Sequence, residues 1–256
     1  MNIQVDNSKG DRLKLASFIK IGSYLVLGLN SAASYSSVLY GQDFTSIGAS
    51  SFVYESPYLD EGIVNTWSPF IALQYGNFFV RNVEAGYQVL NDYDYGAAVS
   101  FSGDELSKQR RGQVVNTESG SALSEVNEGF NIKGSFSLYR QSGIYTLTAM
   151  QDVSGVHDGV ESTLSWLYTL RGRKVNWYPS IYATWMNDKL VGHYFTPQGT
   201  SGWRYGVGMT IDYHPSVNWL VQTVVANESY SNNITDSSII DRSNTWLVSF
   251  NLGYYL

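Results

Sequence analysis

The sequence predicts an all-β protein, a transmembrane antiparallel up-and-down β-barrel of about twelve strands. Segments of about ten residues alternate between bulky apolar side chains and small or polar ones, which is the two-residue period of a β-strand. Charged residues make up 15% of the 256-residue chain, below the roughly 25% usual for soluble domains, while 20 Tyr and 7 Trp are present. Beyond the N-terminal segment, no apolar run is long enough for a membrane-spanning helix.

The C-terminal segment shows this alternation most clearly. From Trp246 to Leu256, every second residue is a large apolar one, and the residues between them are mostly small or polar. A closed barrel pairs such a last strand with its first strand, whereas a soluble protein would leave an open edge that promotes aggregation. A β-sandwich or a lipocalin-like barrel also alternates, but it folds around its apolar face, where so many aromatic side chains would crowd. The pattern therefore favours a barrel with its apolar face outward.

Twelve strands follow from this alternation along the chain. The third and fourth are short, and merging them with their neighbours or placing them outside the wall would leave ten. The predicted ranges are 46–55, 67–75, 77–82, 84–91, 93–102, 127–139, 143–153, 159–170, 173–186, 202–214, 217–228 and 243–256.

The connections between the strands agree with this topology. If the N-terminus lies in the periplasm, tight periplasmic turns alternate with longer outer loops, and an even number of strands returns the C-terminus to the periplasm. The tight turns are predicted at 76–77, 91–92, 141–143, 171–173 and 214–216, and the longer loops at 56–66, 103–126, 187–201 and 229–242.

The N-terminal segment has the features of a secretory signal peptide. Four basic residues within the first 20 precede a short apolar core at 21–29, and the small residues Ser31 and Ala33 suit cleavage after Ala33. A short buried helix is the alternative interpretation. We expect a signal peptide at 1–33, a periplasmic lead-in at 34–45 and the barrel at 46–256. Removing 1–33 takes away four basic and two acidic residues, so the net charge moves from −6 to −8, which argues against nucleic-acid binding.

Aromatic and glycine-rich motifs are spread over most of the predicted barrel. They are Gly48–Tyr58 (GASSFVYESPY), Tyr75–Phe79, Gly86-Tyr87, Gln151–Gly159 (QDVSGVHDG), His193–Phe195 and Asn251–Leu256. This set resembles the MipA/OmpV family of outer-membrane proteins, in which MipA stands for MltA-interacting protein. Many barrels end in Phe and this chain ends in Leu256, so we expect the barrel-assembly machinery to recognise Tyr254 and Phe250.

The resemblance implies a structural role in the bacterial outer membrane. The family is named for a member described as a scaffold that links a lytic transglycosylase to a penicillin-binding protein. We therefore expect a non-enzymatic barrel without a cofactor or a metal, surrounded by lipid and lipopolysaccharide, with those two enzymes as partners. Other members are described as osmotically regulated or adhesion-related. A narrow stress-responsive channel and a surface adhesin acting through loops 103–126 and 187–201 therefore stay open as alternatives.

Charged residues on the polar faces of the strands are predicted to face the lumen. They would either line a pore or form salt bridges that fill the lumen, and their mixed signs favour the second interpretation. A basic group at a predicted periplasmic turn, made of Arg171, Arg173 and Lys174, is a candidate docking site for an acidic partner or for lipid headgroups. The lumen-facing candidates are Glu84, Asp94, Lys133, Glu161, Arg204 and Asp212.

No residue pattern predicts catalysis. Ser154, His157, Asp158 and Glu161 are close in sequence, but their spacing matches no hydrolase motif. The other two histidines, at 193 and 214, lie in a predicted loop and a predicted turn. The long loop at 103–126 carries charged residues that could bind divalent cations or lipopolysaccharide phosphates. The alternative is an ordinary solvent-exposed loop. These residues are Asp104, Glu105, Lys108, Arg110, Arg111 and Glu125.

Overall fold

The computed structural model describes residues 43–59, 61–82, 84–103, 129–196 and 199–256. The predicted signal peptide, most of the predicted lead-in and the charged residues of the predicted loop 103–126 lie outside the described residues. Within the described ranges, no helix has both the length and the apolar character needed to cross a membrane.

Strands dominate the described chain, and two short helices lie in the connections between them. The strands are β1 (Phe44–Glu55), β2 (Ile63–Tyr75), β3 (Phe78–Arg81), β4 (Glu84–Asn91), β5 (Tyr95–Gly103), β6 (Phe130–Arg140), β7 (Gly143–Asp152), β8 (Val160–Leu167), β9 (Leu170–Arg171), β10 (Val175–Met186), β11 (Gly202–Ser216), β12 (Trp219–Tyr230) and β13 (Asn244–Tyr255). The helices are α1 (Asp188–Tyr194) and α2 (Asn232–Thr235).

The strands close into a single antiparallel barrel. Each strand pairs with the next one in the chain, except that β8 and β9 both pair with β10, and β13 pairs with β1. The two-residue strand β9 continues the line of β8 along β10, so the wall has twelve strands. This confirms the predicted twelve-stranded barrel. The ten-strand alternative is wrong, because β3 and β4, although short, each pair with strands on both sides.

The two ends of the barrel differ in the length of their connections. The short-turn end carries the turns at 76–77, 92–94, 141–142, 172–174 and 217–218, and the long-loop end carries the connections at 56–62, 153–159, 187–201 and 231–243. The turn predicted at 214–216 lies at 217–218 instead. The strand β11 runs on to Ser216, with a shift of register against β12 between Tyr213 and Ser216.

The outer face of the wall is apolar and the inner face is polar. In β13, exposed side chains such as Trp246 and Phe250 alternate with buried ones such as Ser249 and Asn251. On β2, the side chain of Trp67 is 77% exposed. Because a soluble protein would bury such aromatic side chains, this inverted arrangement is that of a transmembrane barrel.

A glycine pair marks the seam where the last strand meets the first. Gly48 of β1 lies directly opposite Gly253 of β13. A Cβ atom at position 48 would overlap the backbone carbonyl of Leu252, which is fixed by the strand pairing. Any larger residue at position 48 must therefore push the two closing strands apart.

We predict that Gly48→Ala weakens barrel closure. The overlap with the Leu252 backbone is expected to cost about 1–3 kcal/mol, which is typical of overpacking. Urea unfolding of the refolded protein in detergent, followed by tryptophan fluorescence, measures this loss. The matched control is Gly134→Ala in β6, because a Cβ atom there has no neighbour within 4 Å. Equal unfolding midpoints for the two variants would contradict the role of Gly48.

Candidate functional site

An apolar cap covers part of the barrel at its long-loop end. It is built from the β1–β2 connection, α1, the segment around α2 and the adjoining ends of β10 and β12, and none of its side chains is more than 8% exposed. The cap consists of Tyr58, Met186, Leu190, Val191, Tyr194, Phe195, Tyr230, Ile234, Ile239 and Ile240.

Local hydrogen bonds hold the loops of the cap in place. The Asn187 side chain caps α1 by accepting from Leu190 N (2.9 Å), and it also accepts from Val160 N (3.1 Å) at the start of β8. The β1–β2 connection is joined to the β12–β13 connection, because Leu59 N donates to Ile239 O (2.9 Å). The cap is thus tied to the wall and is not a set of independent loops.

Three of the six motifs that carry the family resemblance, Gly48–Tyr58, Gln151–Gly159 and His193–Phe195, meet around this cap. The ring of Tyr58 stacks on that of Phe195, with centroids 6.2 Å apart. The ring of His157 lies 5.4 Å from that of His193 and 5.5 Å from that of Tyr194. Their assembly could not be predicted from the sequence, because the contacts join segments up to about 140 residues apart.

The QDVSGVHDG segment forms a loop around a buried carboxylate. Asp152 accepts hydrogen bonds from Ser154 N (2.8 Å), His157 N (2.7 Å) and Asp158 N (2.9 Å). The Ser154 hydroxyl also donates to Asp152, and His157 Nδ1 accepts from Gly159 N (2.8 Å). These residues therefore shape the loop, and Ser154 and His157 do not form the nucleophile–base contact of a hydrolase. The described residues hold no group of three or more His, Cys, Asp or Glu side chains placed to bind a metal.

Beneath the cap lies a buried ion cluster. Arg204 Nη2 lies 3.6 Å from Glu161 Oε2, and Arg204 Nε lies 3.9 Å from Glu228 Oε1. The hydroxyls of Tyr182 and Tyr230 both donate to Glu228. Every member of the cluster is buried. The ion pairs and hydrogen bonds within the cluster therefore replace the contacts with water that each charged group loses on folding.

A glycine makes this cluster possible. Gly206 of β11 lies between Tyr182 of β10 and Glu228 of β12 in the strand pairing. A Cβ atom at Gly206 would overlap the ring of Tyr182, which crosses this position to reach Glu228. The glycine therefore allows a hydrogen bond between side chains on strands that are not adjacent.

A second ion pair lies on the opposite part of the lumen wall. Lys133 Nζ lies 3.0 Å from Glu84, and the Ser100 hydroxyl donates to the same carboxylate (2.6 Å). Asp212, further toward the short-turn end, is fully buried and accepts from Gln222 Nε2 (2.8 Å).

One lumen-facing candidate departs from its expected position. Asp94 is 72% exposed in the turn that precedes β5, where it lies 3.4 Å from Arg140 Nη1. The predicted strand starts at residue 93, whereas β5 begins at Tyr95, so Asp94 lies in the turn and outside the wall. The structure buries Lys133, Glu161, Arg204 and Asp212, and it leaves Glu84 partly buried beside Lys133.

The candidate docking residues lie at the short-turn end. Arg171 is in β9, Arg173 and Lys174 are in the following turn, and all three are exposed. His214, predicted in a turn, lies within β11.

Comparison with solved structures finds other barrels of low similarity. The translocator domain of autotransporter NalP from Neisseria meningitidis is 9% identical, with a TM-score of 0.47 over 97% of this chain and 95% of that chain.

Comparison with characterised sequences finds two relatives. Proteins named MltA-interacting protein from Escherichia coli (strain K12) and from Shigella flexneri are each 23% identical over 250 residues, which cover 90% of this chain and 97% of each relative. The family model described as MltA-interacting protein MipA matches residues 47–256, from β1 to the C-terminus. The chain therefore belongs to the MipA family of MltA-interacting proteins.

Proposed function

We propose that this chain is a non-enzymatic scaffold in the bacterial outer membrane, where it binds a lytic transglycosylase and links the membrane to cell-wall remodelling. The observation that carries the proposal is the family match, which extends over the whole barrel. The relatives from Escherichia coli and Shigella flexneri are named for an interaction with MltA. A penicillin-binding protein is the second partner in this proposal, and lipid and lipopolysaccharide surround the wall.

The inner face of the barrel supports a scaffold over a solute channel. The cap packs at the long-loop end of the wall, and the charges of Arg204 and Lys133 each face a carboxylate within 4 Å. A channel benefits from charges that are available to a passing solute, whereas each of these cations already has a carboxylate as its partner. Partner binding is then a property of the two ends of the barrel.

The short-turn end is the surface proposed for docking. Its turns are only two or three residues long and offer little area, so binding there depends on charged side chains. Arg171, Arg173 and Lys174 give one exposed sector of this end a positive charge, which suits an acidic protein surface. The strand count places both ends of the barrel sequence at this side, the side that faces the periplasm if a signal peptide precedes it.

We predict that replacing Arg171, Arg173 and Lys174 together with Ala weakens capture of the lytic transglycosylase. Loss of three cations removes long-range attraction, so the loss should be largest at low salt. Surface-immobilised protein in detergent, titrated with a purified transglycosylase, gives the affinity at two salt concentrations.

Two single variants serve as controls for this experiment. Arg140→Ala removes an exposed cation at the same end, and Lys189→Ala removes one at the long-loop end. Both should bind the transglycosylase as the unmodified protein does. If the triple variant binds equally well, the basic sector is not the docking site, and if the unmodified protein fails to bind, the scaffold proposal itself fails.

We also predict that the refolded protein is electrically silent in a planar lipid bilayer. The cap and the paired lumen charges leave little reason for ions to pass. Discrete openings whose ion selectivity changes with Lys133→Gln or Arg204→Gln would favour the channel alternative. Folding of each variant is checked by its heat-modifiable migration on gels, so that silence is not mistaken for a loss of structure.

A further inference from the structure

The loop between β7 and β8 packs tightly against α1. Its last residue, Gly159, lies between the ring of His157 and the side chain of Leu190 in α1. A Cβ atom at position 159 would come within 2.5 Å of His157 Nδ1 and within 2.8 Å of Leu190 Cβ. The Asn187 side chain completes this joint, because it accepts hydrogen bonds from both Val160 N and Leu190 N. The position of α1 therefore depends on the shape of the loop.

The loop holds the His157 ring in its neutral form. Nδ1 of this ring accepts a hydrogen bond from Gly159 N (2.8 Å), and 2% of the side chain is exposed. A ring nitrogen that accepts a hydrogen bond carries no proton, so the ring is neutral with its proton on Nε2. Protonation of the ring would place a proton on Nδ1, where it would point at the Gly159 N–H. The loop as it stands therefore cannot hold a protonated His157.

The neighbouring carboxylate cannot pair with a protonated ring unless the loop changes. Asp152 Oδ2 lies 3.9 Å from His157 Nδ1, which is beyond hydrogen-bond distance. Oδ1 of Asp152 accepts from the backbone N and the hydroxyl of Ser154, and Oδ2 accepts from the backbone N of His157 and of Asp158. These four donors fill the acceptor sites of a carboxylate. A charged ring that turned toward Asp152 would displace one of them and open the loop.

A second imidazole raises the cost of charge at this joint. The ring of His193 in α1 lies 5.4 Å from that of His157, so two protonated rings would repel each other. Most of the other charged groups on the packed elements already have partners. Asp158 of the loop pairs with Lys189 of α1 (3.6 Å), Glu161 of β8 pairs with Arg204 (3.6 Å), Asp188 accepts from Lys189 N, and the ring of Tyr194 lies 4.7 Å from that of His193.

We propose that the contact between this loop and α1 is acid-sensitive, and that protonation of His157 opens the loop and releases α1. The closed form accommodates only the neutral ring, whereas the open form accommodates the neutral and the charged ring. Lowering the pH therefore shifts the population toward the open form, because that form binds more protons. Histidine ordinarily gains its charge between pH 8 and pH 5, so the change lies in that range.

Release of α1 would expose apolar surface at the long-loop end and leave the wall intact. The helix contributes Leu190, Val191 and Tyr194 to the cap, and each of these side chains is at most 2% exposed. The contacts that break lie in the connections, beyond the ends of β7 and β10. The strand pairings that close the barrel do not depend on them, so acid changes the cap without unfolding the barrel.

Hydrogen exchange of the refolded protein in detergent, followed by mass spectrometry, tests this proposal. The amides of Val191 and Phe195 donate to Asn187 O and Val191 O, so their protection reports whether α1 is in place. Protection is corrected for the intrinsic effect of pH on exchange. A histidine that only the open form can protonate lowers the ratio of closed to open form by up to about 30-fold between roughly pH 7.5 and pH 5. We expect protection in 187–196 to fall by up to this factor, and protection in β6 and β7 to stay constant.

His157→Asn is the principal variant, because the Asn oxygen can accept from Gly159 N but the side chain cannot be protonated. Its α1 should show the same protection at both pH values. The matched control is His214→Asn, since His214 lies in β11 at the short-turn end, and this variant should keep the acid response. Lys189→Ala removes the exposed ion pair with Asp158 and should also keep the response.

The pH at which protection begins to fall provides a second measurement, which decides the matter even if His157→Asn releases α1 at every pH. Release through a histidine begins below about pH 6.5, whereas release through carboxylates begins only below about pH 5. An onset in the carboxylate range, or protection that stays constant from pH 8 to pH 5, would overturn the proposal. So would an acid response that survives in His157→Asn or is lost in Lys189→Ala.

Discussion

Closure of the sheet is the constraint on which the rest of the structure depends. In lipid, no water is available to satisfy an open row of backbone N–H and C=O groups, so the last strand must pair with the first. The pairing of β1 with β13 runs from Ser46 to Tyr54 and meets this requirement. It also explains why a glycine stands at position 48, where the strands approach too closely for a side chain.

Closure also buries the polar side chains of the inner face, which must then find partners inside the barrel. The wall places its small and polar residues inside, and a ring of twelve strands brings charged side chains from distant strands close together. Arg204 lies within 4 Å of the carboxylates of both Glu161 and Glu228. Because position 206 is a glycine, the Tyr182 side chain can cross it to reach Glu228. The interior is therefore organised by pairing of charges and hydrogen bonds, which is a source of specificity more than of net stability.

The strands could be predicted from the sequence because the wall repeats one local rule, with side chains alternating between lipid and lumen. The same rule assigns residues such as Glu161 and Arg204 to the polar face, and both are buried in the structure. The two-residue period does not apply where a strand ends or changes register. Asp94 lies in a turn, and β11 continues to Ser216 through a shift of register against β12. The cap had no such signal: Tyr58 and Phe195 are far apart in sequence, and their contact depends on how separate loops meet above the wall.

The arrangement of charges bears on where function lies in such a barrel. A lumen whose cations face carboxylates within 4 Å, beneath an apolar cap, has its charges committed to the wall. Among the described residues, exposed charges such as those of Arg171, Arg173 and Lys174 lie at the short-turn end. Asp212 is the exception within the wall, because its charge has no cationic side chain beside it among the described residues. A barrel built in this way divides its charges into two groups, with paired charges in the interior and accessible charges at the ends.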